Sequence, residues 1–207
     1  MRKIFVTGIG TDVGKTVVSA IIVEALKADY WKPVQSGTYY TTDSEKIKLL
    51  TSYTQTVIHP EAYRLKEHKS PHEAAEAEGV HIDMAKINLP QTNNTLVIEG
   101  AGGVMVPLNG KEFIIDLIQK FEAETIVVIQ NYLGSINHSL LTIDALKHRG
   151  VKIIGLVFNG PPHEPSKEII LNYSKLPFIT WIAKESEMNK SVIEKYLKDF
   201  EKIYCDL

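Results

Sequence analysis

The run Lys3-Ile4-Phe5-Val6-Thr7 leads directly into Gly8-Ile9-Gly10-Thr11-Asp12-Val13-Gly14-Lys15-Thr16, and Thr16 to Ala28 then carries apolar side chains around most of a helical circumference. A short apolar strand, a glycine-rich turn ending in Gly-Lys-Thr, and a buried helix in that order form a phosphate-binding loop in its proper setting. Glycines let the backbone curl so that N–H groups surround phosphate oxygens, and the helix N-terminus adds partial positive charge. Lys15 is placed to reach the β- and γ-phosphates, and the Thr16 hydroxyl to ligate Mg²⁺. The strict pattern asks for glycine at position 9; here Ile9 stands there and Gly8 comes one place earlier. A glycine-rich turn that merely caps a helix is the plainer reading, but strand, Gly-Lys-Thr and helix together favour nucleotide binding.

Further apolar runs continue the pattern: Tyr30 to Val34, Thr95 to Glu99, Thr125 to Gln130, Lys152 to Asn159 and Phe178 to Ile182. They are continuous rather than alternating, as in parallel strands covered on both faces. Ser135 to Arg149 reads as a helix with Ser135 as N-cap and Gly150 just past its end. Ser70-Pro71-His72-Glu73 reads as a capping box with proline at the first helical position. Val192, Ile193, Tyr196, Leu197, Phe200 and Ile203 have helical spacing, consistent with a helix covering the sheet; Glu194, Asp199, Glu201 and Asp206 make it a poor match to anionic lipid. The predicted fold is therefore α/β, a doubly wound, mostly parallel sheet with helices on both faces, in one domain spanning residues 1–207. Gln35 to Asn94 is long for a crossover and is expected to form part of a site. Ligands of such sheets bind at the carboxyl ends of the strands.

Composition narrows the class. The 207 residues are 44% hydrophobic and 23% charged, enough for a substantial core. Lys+Arg total 23 against Asp+Glu 25, a net charge of -2, without the basic surplus of a nucleic-acid-coating protein. The single cysteine, Cys205, allows no internal disulfide and fits a reducing cytoplasm. Gly8, Gly10, Asp12 and Lys15 cut the first apolar run too short for a signal peptide, and no stretch approaches the ~20 apolar residues of a membrane span.

Two further motifs narrow the chemistry. Lys32-Pro33-Val34-Gln35-Ser36-Gly37 places a lysine at a strand's carboxyl end beside a serine, where it could hold a negatively charged group during transfer. Thr95-Leu96-Val97-Ile98-Glu99-Gly100-Ala101-Gly102-Gly103 is an apolar strand ending in a carboxylate and a glycine turn, of Walker B form with Glu99 in place of aspartate. Asp43 opens a helix Asp43 to Leu50; an N-cap is its plainer role, but if it faces the crevice, Thr16, Asp43 and Glu99 supply three hard oxygen donors for Mg²⁺. The seven histidines lack zinc-ligand spacing, and structural or solvent-facing roles are expected for His72 and His138.

Along nearly its whole length the chain resembles the dethiobiotin synthetases. The resemblance rests on the phosphate loop, Lys32 to Gly37, Ser70-Pro71-His72, Val97 to Gly103, Leu133-Gly134-Ser135-Ile136-Asn137-His138 and Asn159. It implies an ATP-dependent ring closure of 7,8-diaminopelargonic acid with CO₂, through a carbamate and a carbamic-phosphoric anhydride, in biotin biosynthesis. Under it Lys32 stabilises the carbamate and Lys15 the transferring phosphoryl group. Asp12, Val13, Gly14, Lys15, Thr16, Val17, Asp43, Glu99, Gly100, Ala101 and Gly102 contact the nucleotide phosphates and Mg²⁺. Asn159, Gly160, Thr180, Trp181 and Ile182 meet the adenine, and Glu187 lies near the ribose. Thr11 and Ser36 contact the amines or carbamate. Gly134, Ser135 and Asn137 take the substrate carboxylate at a helix N-terminus belonging to the other subunit of a homodimer. Two positions depart from the family pattern, Thr180 where proline is frequent and Gly160 after the asparagine. A partition- or septum-type ATPase and another amide-forming ATPase, such as a cobyrinate-type amidase, are the competing readings. The first would carry an additional lysine near the start of the loop, where Ile9-Gly10-Thr11 stand, and the second a nucleophilic cysteine in a glutamine-hydrolysing domain. ATP binding without chemistry is a third.

Overall fold

The structure, a computed structural model, describes residues 1–205, and of 202–205 the backbone alone; the Ile203 contact and Asp206 of the sequence reading lie outside the described side chains and residues. Seven strands form one parallel sheet in the order β4-β2-β6-β1-β7-β8-β9. They are β1 (Lys3–Gly8), β2 (Asp29–Trp31), β4 (Ile58–His59), β6 (Leu96–Glu99), β7 (Glu124–Gln130), β8 (Ile153–Asn159) and β9 (Phe178–Ile182). β3 (Val34–Gln35) and β5 (Tyr63–Arg64) pair in a separate small parallel ladder. The helices are α1 (Lys15–Leu26), α2 (Asp43–Leu50), α3 (Pro71–Ala77), α4 (Ile114–Phe121), α5 (Ser135–His148), α6 (Glu164–Ser174), α7 (Lys190–Lys195) and α8 (Leu197–Cys205).

The chain begins in the middle of the sheet. From β1 it crosses through α1 toward β2, whereas α4, α5 and α6 carry it the opposite way, to β7, β8 and β9. Right-handed crossovers running in opposite directions place their helices on opposite faces. So α1 covers one face and α4, α5 and α6 the other, as the continuous apolar strands imply: β1 from Ile4 to Gly8 and β6 throughout are buried. Trp31 and Phe121 pack with ring centroids 5.5 Å apart on the α4 face. Among the described residues no helix is long and apolar enough to cross a membrane.

Several expectations are corrected. The run Tyr30 to Val34 is two strands: β2 ends at Trp31, and Val34–Gln35 pairs elsewhere, because Pro33 has no N–H for a central ladder. Lys32 therefore stands just beyond its strand. Gly134, left-handed at φ 102°, occupies the N-cap of α5, and Ser135 is its first helical residue. Ser70 precedes α3 as expected, yet its hydroxyl bonds His72 and the Glu73 carboxylate rather than a backbone N–H. The C-terminal segment is two helices meeting at Tyr196, packed mainly on α1 with α8 also touching β9.

Candidate active site

A cavity of about 710 Å³ opens at the carboxyl ends of β1, β2 and β6. The phosphate loop forms one wall, with Asp12 at φ 57° and Gly14 at φ 97°, both left-handed. A Cβ on Gly14 would run into the Asn159 amide, which donates to the Val13 carbonyl at 2.9 Å, so glycine is required there by both conformation and space. Lys15 lies back along the loop, its ammonium donating to the Gly10 carbonyl at 2.7 Å. Burial above all, and then the charge of Lys32, lower its pKa to about 8.

Lys32 is buried deep in the site, 4% exposed. Its ammonium reaches Asp43 Oδ2 at 2.8 Å, Glu99 Oε1 at 3.1 Å and the Gly100 carbonyl at 3.2 Å. Burial works against the charged form, but Glu99 and then Asp43 outweigh it, and the pKa ends above the ordinary lysine value. Asp43 shows the converse: Lys32 overcomes burial and holds its carboxyl below the usual range. The Thr16 hydroxyl donates to Glu99 Oε1 at 2.9 Å, and Tyr30 to Oε2 at 2.9 Å. Asp43 is free for this role because Thr42, not Asp43, caps α2: Thr42 accepts from the Glu45 N–H at 3.2 Å, and its own N–H reaches the Glu45 carboxylate at 2.8 Å. Gln35 secures the same turn by accepting from the Asp43 N–H at 3.1 Å.

Of the residues expected from sequence, the cavity wall brings together Thr11, Asp12, Gly14, Lys15, Thr16, Val17, Lys32, Ser36, Asp43, Glu99, Ala101 and Gly102. Ser36 Oγ is buried and has no hydrogen-bond partner within the protein. Val13 and Gly100 adjoin the cavity through their carbonyls, bonded to Asn159 and Lys32. The expected adenine residues do not line it. They form a neighbouring group at the ends of β8 and β9, where the Trp181 indole donates to the Gly160 carbonyl at 2.7 Å and stacks on Phe158 at 5.2 Å. The Gly160 N–H donates to the Ile182 carbonyl at 2.9 Å. Thr180 is buried and turns its hydroxyl to Asp199 on α8 at 2.7 Å, so only its backbone is left to face a ligand. Glu187 is exposed. Gly134, Ser135 and Asn137 stand outside this chain's cavity, Gly134 and Asn137 exposed and Ser135 buried. His72 bonds Ser70, and His138 Nδ1 lies 2.7 Å from the Tyr132 hydroxyl, on the surface in both cases. Tyr30, Tyr40, Lys46, His68 and Lys69 were not singled out from sequence and no motif marks them; all but Tyr30 line the cavity, as does Gln35 of the Lys32 to Gly37 motif.

Comparison with known proteins identifies the lineage. The AAA domain family matches residues 2–191. A curated relative named ATP-dependent dethiobiotin synthetase BioD, from Cytophaga hutchinsonii, is 51% identical over 99% of this chain and 100% of its own length. Another of that name, from Christiangramia forsetii, is 48% identical over 100% of this chain and 99% of its own. Among solved structures, a ParA family ATPase from Chlorobium tepidum superimposes with a TM-score of 0.60 at 11% identity, covering 100% of this chain and 98% of that one. A putative plasmid partition protein from Borrelia burgdorferi bound to AMPPNP gives 0.61 at 13%, covering 99% and 98%. At such identities the structural likeness speaks for the P-loop ATPase fold alone.

Proposed function

This chain belongs to the ATP-dependent dethiobiotin synthetase family, enzymes of biotin biosynthesis that close a ring at the expense of ATP, and from that premise we propose that the crevice around Lys32 is where a diamine carbamate is phosphorylated and closed. One amine of 7,8-diaminopelargonic acid adds to CO₂ and loses a proton, giving the carbamate. A carbamate oxygen attacks the γ-phosphorus and ADP leaves. The second amine then attacks the carbonyl carbon, phosphate departs with the carbamate oxygen, and the ureido ring is closed.

The observation that carries this reading is the buried ammonium of Lys32, kept charged by Glu99 and Asp43 at the floor of a cavity whose opposite wall is the phosphate loop. A fixed positive charge in a water-poor crevice stabilises the carbamate and the developing phosphoryl charge without reorganising solvent. Lys15 does the same for the γ-phosphate, whose charge favours its ammonium. Ser36, with a buried hydroxyl free to bond, and Thr11 are the substrate contacts. Thr16, Asp43 and Glu99 offer a hydroxyl and two carboxylates, a hard oxygen set suited to Mg²⁺, and Lys32 already holds a cationic group between the two carboxylates. The ion would supply charge neutralisation at the phosphates.

The exposed N-terminus of α5, with Gly134 and Asn137, would take the substrate carboxylate of the facing protomer in a homodimer. Leu133, fully exposed, and Leu141, 61% exposed, support burial of this face against a second copy. One main sheet and one core among the described residues support a single catalytic domain, read as spanning residues 1–207; an enzyme of biotin biosynthesis with that fold would act in the cytoplasm. The test is phosphate release in the presence of ATP and Mg²⁺. It should require both the diamine and bicarbonate, and release that continues without either would replace ring closure by simple ATP hydrolysis.

A further inference from the structure

Glu99 is 1% exposed and its two carboxylate oxygens have different surroundings. Oε1 accepts from Thr16 at 2.9 Å and from Lys32 at 3.1 Å, on the side of the cavity. Oε2 accepts from the Tyr30 hydroxyl at 2.9 Å, away from it. Tyr30 is itself fully buried in β2. The register explains the reach: Tyr30 lies beside Val97 of β6, so Glu99, two residues on, shares its face one step nearer the carboxyl edge. A phenol is long enough to span that step. A shorter apolar side chain at position 30 would leave Oε2 buried against hydrocarbon, and the carboxylate free to rotate its unpaired oxygen toward the cavity.

We propose that Tyr30 is the positioning residue for Glu99, its phenol holding Oε2 so that Oε1 is the oxygen turned to Thr16, Lys32 and the divalent cation of the ATP complex. The inference rests on the reading of Glu99 as a cation carboxylate, and partners that orient such a ligand typically change metal affinity by roughly 10- to 100-fold when removed. Tyr30 is fully buried, does not line the cavity and lies outside every motif of the crevice.

Mn²⁺ is the probe, its binding followed by electron paramagnetic resonance with a non-hydrolysable ATP analogue present, in the wild type, Tyr30→Phe, Glu99→Gln and Val97→Ala. Tyr30→Phe deletes one oxygen and keeps the ring; Val97→Ala loosens the same face without touching Glu99. The expected result is Mn²⁺ affinity about tenfold or more weaker in Tyr30→Phe, weaker again in Glu99→Gln, and unchanged in Val97→Ala. Wild-type affinity in Tyr30→Phe with a weakened Glu99→Gln overturns the positioning role and leaves the cation site standing. Wild-type affinity in both overturns the cation reading of Glu99 as well. Equal weakening in Val97→Ala and Tyr30→Phe would reduce the effect to general loosening and also defeat the proposal. If Tyr30→Phe does not fold, Tyr30→Met, which fills the space with a flexible apolar chain and has no donor, takes its place in the same comparison.

Discussion

Lys32 shows how much one side chain decides here. Lys-Pro at a strand end is visible in sequence and marks a crevice lysine; the acidic pair around it is not, because Asp43 comes from a helix 11 positions later and Glu99 from a strand 67 positions later. With Asp43 Oδ2, Glu99 Oε1 and the Gly100 carbonyl all in reach, every ammonium hydrogen has an acceptor, so a carbamate must displace one. Asp43, 19% exposed against 1% for Glu99, is the partner able to turn toward solvent. Lys32→Gln leaves the buried Glu99 and the partly buried Asp43 without their cation, and removing one partner of a buried pair costs about 3–5 kcal/mol. Melting should therefore fall sharply without divalent cation and recover with Mg²⁺. Turnover should drop about 10²–10³-fold for loss of a preorganised charge, and Lys32→Arg should restore it only in part, since a wide planar guanidinium replaces a compact ammonium. Near wild-type turnover in Lys32→Gln would remove Lys32 from the chemistry.

At the scale of elements, the central strands were legible because burial on both faces writes them as unbroken apolar runs, and α1 because the phosphate loop announces it. The two-residue strands β3, β4 and β5 were not: such short pieces have no period, and their pairing is set by neighbours distant in sequence. The capping of α2 by Thr42 was missed for a related reason, since Thr42 and Asp43 are both good caps and their order is settled by Lys32 and Gln35. Asp29 ties the amino end of β2 to its surroundings, accepting from Thr92 at 2.6 Å, the Val57 N–H at 3.0 Å and Asn94 at 3.4 Å. Burial pushes its carboxyl up, and these hydrogen bonds, with Thr92 first, bring it below the ordinary value of 3.8. A carboxylate depressed in the folded state contributes stability above its unfolded pKa, lost as pH falls through the folded one. Melting temperature should thus decline as pH drops below about 4, and Asp29→Asn should lower it at neutral pH while flattening that acid decline. Parallel acid limbs in both proteins would show that Asp29 contributes nothing there.

The whole molecule places phosphate loop, lysine and acidic residues at one edge of one sheet, and that gathering follows from strand order: β1, β6 and β2 are adjacent, so loops far apart in sequence share a crevice. The residues expected at the adenine, at the ends of β8 and β9, lie two and three strands from β1 and outside the cavity wall, with Asn159 alone of them bonding the phosphate loop, an arrangement that strand order sets and sequence order does not display. The proposed homodimer through the α5 face can be tested at its most exposed apolar residue. Leu133→Glu should leave the protomer folded, since Leu133 is fully exposed, yet yield a monomer in sedimentation with loss of ring closure. A fully active monomer would defeat the shared site. The carbamic-phosphoric intermediate itself is tested most directly by isotope. With ¹⁸O-labelled bicarbonate, the diamine, Mg²⁺ and ATP, phosphate collected in the first turnovers, before the label exchanges into water, should carry one ¹⁸O delivered by the carbamate; phosphate free of label, its new oxygen taken from water, would contradict phosphoryl transfer to a carbamate in this crevice.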